Sequence, residues 1–483
     1  MKIDRMLILI LLLNAAAFAP GRSSVAMGQA GEFPTGQIIE KVACLADPSQ
    51  SYVLYLPPRY SPEKRWPILY GFDPGGRGKQ PVESFREAAE KYGWIVVGSH
   101  NSRNGPGVPL SEIVQALWRD THERLAIDDR RIYTTGMSGG ARVAVSVAIA
   151  MKDQIAGVIA CAAGFPSVKT PQKEMRFAFL GIAGVEDFNL IELRRLEEGL
   201  EKAGITHQLL TFEGEHGWPP KAVLFEAIEW METQALKSDR RARDARLITE
   251  LYTQGVNRAR QFEESARPYD AFIRYRLLAE SFNGLRAVDE VSGHALRLQN
   301  SKDVQSAITQ LKVADRQQET RAREIFAVLQ SLNSADTQIQ YIADARRLIA
   351  PLRKKAEEPM PTTERVVARR LLGQFSVTVS EAAAGEIFKK NYGLAAGYLT
   401  IAAEIRPNNP QVWYRLAAAQ AQSGEKKRAL ESLKRAVEKG FNDATRLEQA
   451  PEFAPLRQEE EFRSLLKQMK SPPQSPSTNN QTV

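Results

Sequence analysis

The stretch that most constrains the fold of this chain is residues 131–150, RIYTTGMSGGARVAVSVAIA. It opens with β-branched and aromatic residues that favour a strand, and it ends in an alanine- and valine-rich run typical of a buried helix. Between them lies GMSGG, residues 136–140. A serine at so sharp a turn needs strained backbone, and side chains at the flanking positions would collide with the strand and the helix. The pattern predicts a strand, a tight turn that exposes Ser138, and a helix.

Strands and helices alternate on both sides of this stretch. Because each parallel pair of strands needs a crossover, such alternation predicts a mainly parallel sheet with helices on both faces. The predicted strands are 37–45, 51–56, 67–72, 94–99, 132–135, 156–161, 176–183 and 207–212, and the predicted helices are 84–92, 110–127, 190–203 and 221–231.

Two further reactive side chains follow strands of the predicted sheet. Asp187 comes just after the strand at 176–183, and His216 comes just after the strand at 207–212. Ligand sites in such sheets gather at the carboxyl ends of the strands, where Ser138 also lies. A serine hydroxyl becomes a good nucleophile when a histidine takes its proton, and a buried carboxylate orients that histidine. Glu186 is the alternative acid.

An acyl-transfer site also needs donors for the oxyanion. The backbone N–H of Gly139 at the helix N-terminus would supply one. The second would come from the loop after strand 67–72, at Phe72 or, less favourably, at Asp73. We expect four residues to line the substrate pocket, although each also has a purely structural interpretation: Asp73, His100, Met137 and Trp218.

Residues 37–236 resemble an α/β-hydrolase of the compact esterase type. The segments IDDRRIYTTGMSGG, GVEDFN and EGEHGW are similar to those of polyhydroxybutyrate depolymerases, feruloyl esterases and dienelactone hydrolases. The resemblance implies a serine esterase with Ser138, His216 and Asp187 as its triad, and with neither cofactor nor metal. Many relatives carry His-Gly in the first oxyanion loop, whereas this chain has Tyr70-Gly71 followed by FDPGGRG. The second oxyanion donor is therefore the least defined part of the predicted site.

The N-terminus has the pattern of a secretory signal peptide at residues 1–30. Lys2 and Arg5 precede an apolar run from Met6 to Ala19, and small residues follow at 28–30. We expect a secreted or periplasmic protein without a membrane span after cleavage, and an uncleaved anchor is the alternative. Cys44 and Cys161 could form a disulfide in that compartment, or remain buried thiols.

The formal net charge of +8 is modest for 483 residues. Basic clusters such as residues 240–246 are interleaved with acidic side chains, which is typical of a solvated helix face. The composition therefore predicts no nucleic-acid partner.

The sequence pattern predicts helices throughout the second half of the chain. Residues 31–236 form the predicted hydrolase domain, 237–375 a helical region with possible divergent repeats, 376–469 tetratricopeptide-like repeats, and 470–483 a disordered tail. The repeats are indicated by residues 34 positions apart, since Ala395, Leu399, Ala402 and Pro407 match Ala429, Leu433, Ala436 and Phe441. An unrelated helical bundle is the alternative.

The sequence as a whole predicts an exported carboxylic-ester hydrolase whose helical half binds a protein partner or covers the active site. Only residues 164–174 separate two late strands, so the first domain has no room for a cap of its own. A serine peptidase or thioesterase with the same triad stays open. So does a degenerate hydrolase domain in a repeat-based interaction scaffold.

Overall fold

The computed structural model of the protein describes residues 33–329 and 338–470. The predicted signal peptide and the tail after Lys470 lie outside the described residues. Within them, the chain divides into two compact units between Arg316 and Gln317. The division falls inside the region predicted as helical, and the domain boundaries at 236 and 375 stay predictions.

An eight-stranded sheet forms the centre of the first unit. Its strands lie in the order β1-β2-β4-β3-β5-β6-β7-β8, in which β2 runs antiparallel to both of its neighbours, β1 and β4, and every other adjacent pair is parallel. This confirms the predicted α/β fold class. The strands are β1 (Ile38–Ala43), β2 (Ser51–Tyr55), β3 (Trp66–Phe72), β4 (Ile95–Ser99), β5 (Ile127–Met137), β6 (Ile155–Cys161), β7 (Ala178–Gly184) and β8 (His207–Phe212).

Five helices cover the two faces of the sheet. They are α1 (Lys79–Tyr92), α2 (Leu110–Arg124), α3 (Gly139–Ala150), α4 (Leu190–Ala203) and α5 (Lys221–Lys237). Buried residues of α2, α3 and α4 form one core against the sheet, and those of α1 and α5 form the other. The predicted helix at 110–127 was three residues too long, because Leu125 is extended and Ile127 already begins β5.

Three more helices belong to the first unit: α6 (Ala245–Glu264), α7 (Pro268–Phe282) and α8 (Asp289–Gln299). The next helix, α9 (Lys302–Leu329), begins in the first unit and ends in the second. Asp244 caps α6 by accepting from two backbone amides, and proline begins α7. Gln208 of β8 donates to the carbonyl of Leu277 and to the hydroxyl of Ser281 in α7. These buried bonds attach the helical segment to the edge strand of the sheet.

The second unit is helical throughout its described residues. Its elements after α9 are α10 (Gln338–Ala356), α11 (Thr363–Phe388), α12 (Tyr392–Ile405), α13 (Pro410–Gln422), α14 (Lys426–Glu438), α15 (Ala444–Gln449), a 3-10 helix (Pro451–Leu456) and α16 (Glu460–Lys470). The matched small and apolar residues of the two predicted repeats occupy equivalent buried positions, in α12 and α14 respectively: Ala395, Leu399, Ala402 and Ala429, Leu433, Ala436. Alanine at these positions lets neighbouring helices approach closely.

Both cysteines are free and buried. Burial raises the pKa of the Cys44 thiol to about 12, and it also raises that of Cys161. The alternative of a Cys44–Cys161 disulfide was therefore wrong. Among the described helices, none combines the length and apolarity needed to cross a membrane.

Candidate active site

Ser138 lies in the tight turn that joins β5 to α3. Its backbone has φ 55° and ψ −120°, a conformation that L-residues rarely adopt. The amide of Ser138 donates to the carbonyl of Cys161 at the end of β6, and its carbonyl accepts from Ala141 in the first turn of α3. These hydrogen bonds, to strand β6 on one side and to helix α3 on the other, hold the strained backbone of Ser138 in place. The sequence pattern predicts such a strained turn.

The glycines of the turn allow three segments to meet. A Cβ atom on Gly136 would lie 2.2 Å from the carbonyl oxygen of Gly140. One on Gly140 would lie 2.0 Å from the carbonyl oxygen of Phe72, the last residue of β3. The loop after β3, where the second oxyanion donor was expected, therefore packs directly on the start of α3.

Asp187 and His216 are brought together at the same edge of the sheet. Nδ1 of His216 lies 3.0 Å from Oδ1 of Asp187, and the carboxylate is fully buried. The same Oδ1 accepts from the amide of Asn189, whereas the buried Oδ2 has no hydrogen-bond partner in the described part of the chain. A buried carboxylate in this position stabilises an imidazolium when His216 takes up a proton.

The acid loop and the histidine loop support one another. The amide of Glu186 donates to the carbonyl of Gly214, and the amide of Val185 donates to that of Phe212. The His216 ring stacks on Phe188 with ring centroids 4.3 Å apart. Asp187, rather than the alternative acid Glu186, thus faces the histidine.

The side chain of Asp73 is held by hydrogen bonds within the protein, which suits a structural role. Its buried carboxylate accepts from Arg77 through both oxygens at 2.9 Å, and from the backbone amide of Gly75 at 2.8 Å. The indole of Trp218 donates to Oδ2 at 2.9 Å. Burial opposes ionisation, but the hydrogen bonds from Arg77 and Trp218 outweigh it and hold the pKa of Asp73 below its ordinary value.

The other predicted pocket residues have individual surroundings. Nε2 of His100 lies 2.9 Å from the carbonyl oxygen of Glu40 in β1, a contact that suits a structural histidine. Met137 ends β5 beside Cys161 and is partly buried. The indole N–H of Trp218 donates to Asp73. Roles for these residues in substrate binding stay predictions.

Asn104 is a candidate that the sequence reasoning missed. A Cβ atom on Gly139 would lie 2.0 Å from Oδ1 and 2.6 Å from Nδ2 of Asn104, so the carboxamide rests against the first residue of α3. The backbone amide of Asn104 donates to the carbonyl of Pro74 at 2.8 Å, which fixes this loop to the one that follows β3. The position of SRNGPG directly after a strand of the same edge was the signal available in the sequence.

Comparison with known proteins gives one family match in the second unit. Residues 389–450 match the tetratricopeptide repeat family. No curated protein sequence matches the chain.

Several solved structures resemble the first part of the chain. S-formylglutathione hydrolase (FrmB) from Staphylococcus aureus is 12% identical, with a TM-score of 0.34, covering 42% of this chain and 99% of its own. A ferulic acid esterase is 16% identical, with a TM-score of 0.33, covering 41% and 98%. A hyperthermophilic esterase from the archaeon Pyrobaculum calidifontis is 14% identical, with a TM-score of 0.34, covering 42% and 87%.

The strand order of the central sheet and the strained turn at Ser138 identify the fold of the first unit. The protein therefore joins a domain of the α/β-hydrolase fold to a helical region that contains a tetratricopeptide repeat segment.

Proposed function

We propose that the protein is an exported serine hydrolase that cleaves carboxylic esters. The observation that carries the proposal is the buried Asp187–His216 pair at the sheet edge where Ser138 occupies its strained turn. Export is proposed from the N-terminal pattern of residues 1–30.

In the proposed reaction, Oγ of Ser138 attacks the ester carbonyl carbon while His216 takes the hydroxyl proton. Asp187 stabilises the resulting imidazolium. Collapse of the tetrahedral intermediate breaks the carbon–oxygen bond of the ester, and the leaving alcohol takes the proton back from His216. A water molecule, activated by the same histidine, then hydrolyses the acyl-enzyme and restores the serine.

The oxyanion of each intermediate needs donors beside Ser138. Gly139 begins α3, and an N–H in the first turn of a helix has no acceptor within the helix, so it is available to the substrate. For the second donor we keep the backbone at Phe72 and add the carboxamide of Asn104, which contacts Gly139. A side-chain amide in such a position contributes by the same electrostatic stabilisation as a backbone N–H.

The helical repeats are proposed to bind a protein or peptide partner, because stacked helix pairs offer a continuous surface to an extended ligand. The match at residues 389–450 supports this part of the proposal.

The test is hydrolysis of p-nitrophenyl esters of increasing acyl length, with a thioester and a peptide anilide in parallel, by protein lacking residues 1–30. We expect ester turnover, and a loss on the order of 10³-fold or more in Ser138→Ala. A fluorophosphonate probe should label the parent and not the variant. If the folded parent protein neither hydrolyses any of these substrates nor reacts with the probe, the esterase proposal is wrong. The alternative of a degenerate hydrolase domain in an interaction scaffold would then be favoured.

A further inference from the structure

A cavity of about 650 Å³ opens at the end of the first unit opposite to Ser138. It lies between the amino ends of β5 to β8 and the last turn of α5. Four of its lining residues show this position. Arg130 and Tyr133 lie in the first half of β5, Thr206 immediately precedes β8, and Lys237 is the last residue of α5. The proposed hydrolase chemistry uses none of these residues, because its groups follow the carboxyl ends of the same strands.

The charge of this cavity is strongly one-sided. Asp153 is its one acidic lining residue, against five basic ones: Arg130, Lys173, Arg176, Lys237 and Arg240. None of the five forms an ion pair with a carboxylate in residues 33–329 or 338–470. Arg130, Lys173, Arg176 and Lys237 are exposed to solvent at the cleft, and Arg240 is half-buried.

Three of these cations are nevertheless held in place. Arg240 donates to the carbonyl of Arg130 at 3.0 Å, and Arg130 itself donates to the carbonyl of Asp239. Nζ of Lys237 donates to the carbonyl of Glu280 at 2.9 Å. A carbonyl oxygen orients a cation without neutralising it, and each guanidinium keeps further N–H donors for a ligand.

Apolar side chains also contribute to the lining: Met175, Phe177, Ile205 and Met231. The volume falls in the range of pockets that enclose small organic molecules, roughly 300–1,000 Å³. A concave site with cations around apolar side chains fits a small organic anion better than an extended polymer. Guanidinium groups bind both carboxylate and phosphate through paired N–H donors.

We propose that this basic cleft binds a small organic anion that carries two or more carboxylate or phosphate groups. The site is separate from the hydrolase centre, and the proposal is independent of the esterase activity.

The test is isothermal titration of the protein with two probes, citrate for the carboxylate class and pyrophosphate for the phosphate class. Lys173 and Arg176 are exposed, so the double variant Lys173→Gln/Arg176→Gln removes two charges without disturbing the core. We expect at least one probe to bind the parent, and the double variant to weaken that binding by about tenfold or more. The preferred probe identifies the class of anion.

Lys64→Gln/Arg119→Gln is the matched control, since both residues are exposed and lie outside the cleft. It lowers the net charge equally and should leave the dissociation constant within about twofold. Equal weakening in both double variants would show non-specific charge attraction and overturn the proposal. So would a parent that binds neither probe at about 1 mM. Ser138→Ala should bind as the parent does, which separates this result from the fate of the esterase proposal.

Discussion

The indole Nε1 of Trp218 donates a hydrogen bond to Oδ2 of Asp73 at 2.9 Å, across 145 residues of sequence. Trp218 follows the candidate catalytic histidine by two residues, and Asp73 begins the loop after β3 that packs on Gly140. One buried carboxylate therefore joins the histidine loop to the loop expected to hold the oxyanion.

Asp73→Asn should lower the free energy of unfolding by about 1–3 kcal/mol near pH 6, because it removes charge-assisted hydrogen bonds from a buried group. The pKa of Asp73 is below its ordinary value of 3.8 in the folded protein. Its stabilisation is therefore complete above that value, and is lost as the pH falls through the lower, folded pKa.

Denaturant unfolding from pH 6 to pH 3 measures this effect. The difference between the parent and Asp73→Asn should shrink as the acid limit is approached. Glu87→Gln, at an exposed glutamate of α1, is the control and should differ little from the parent at any pH. A constant gap between the parent and Asp73→Asn would mean that the contribution of Asp73 does not depend on its charge.

Asp187→Asn should lower kcat by two to four orders of magnitude, because an amide at this position favours the wrong tautomer of His216. Steady-state hydrolysis of a p-nitrophenyl ester is the measurement. Glu186→Gln is the matched control from the same loop and should stay within about fivefold of the parent. Loss of activity in Glu186→Gln with retention in Asp187→Asn would exchange the roles of the two acids.

Asn104→Ala should reduce kcat by about 10- to 10³-fold with a smaller change in KM, since an oxyanion donor acts mainly in the transition state. Arg103→Ala alters the neighbouring exposed side chain and should retain the parent kcat. A change confined to KM would assign Asn104 to substrate binding in the ground state instead.

Gly140→Ala should destabilise the fold by about 2 kcal/mol or more, because its Cβ would lie 2.0 Å from the Phe72 carbonyl oxygen and force the β3 loop to move. Ester hydrolysis should fall with it. Gly293→Ala is the comparison within helix α8, where a Cβ meets open space. That variant should gain about 0.5–1 kcal/mol. Thermal unfolding distinguishes the two.

The native protein should react slowly with dithionitrobenzoate at pH 8, because both thiols are buried and their pKa values are raised. Denaturation without reductant should release both thiols of each chain. A yield of zero would indicate a disulfide instead.

Much of the first unit could be predicted because its signals are local. Buried strands of a parallel sheet are continuous apolar runs, and the GMSGG turn has steric requirements that few sequences meet. The register of the strands then brings Asp187 and His216 to one edge, as their positions after β7 and β8 predicted. The helical segment from α6 to α8 was harder to predict from the sequence. Its packing depends on buried side chains of α5 and β8 as much as on its own pattern of apolar residues.

The sequence by itself determined the alternation of strands and helices, the strained turn at Ser138, the chain order of the three candidate catalytic residues, and the repeat spacing near the C-terminus. Only the tertiary structure placed Asn104 against Gly139, joined Asp73 to Trp218, and gathered five basic side chains around one cavity at the opposite end of the sheet. The physical reason is distance along the chain. Periodicity and turn chemistry act over a few residues, whereas these contacts join segments that meet only once the sheet has formed.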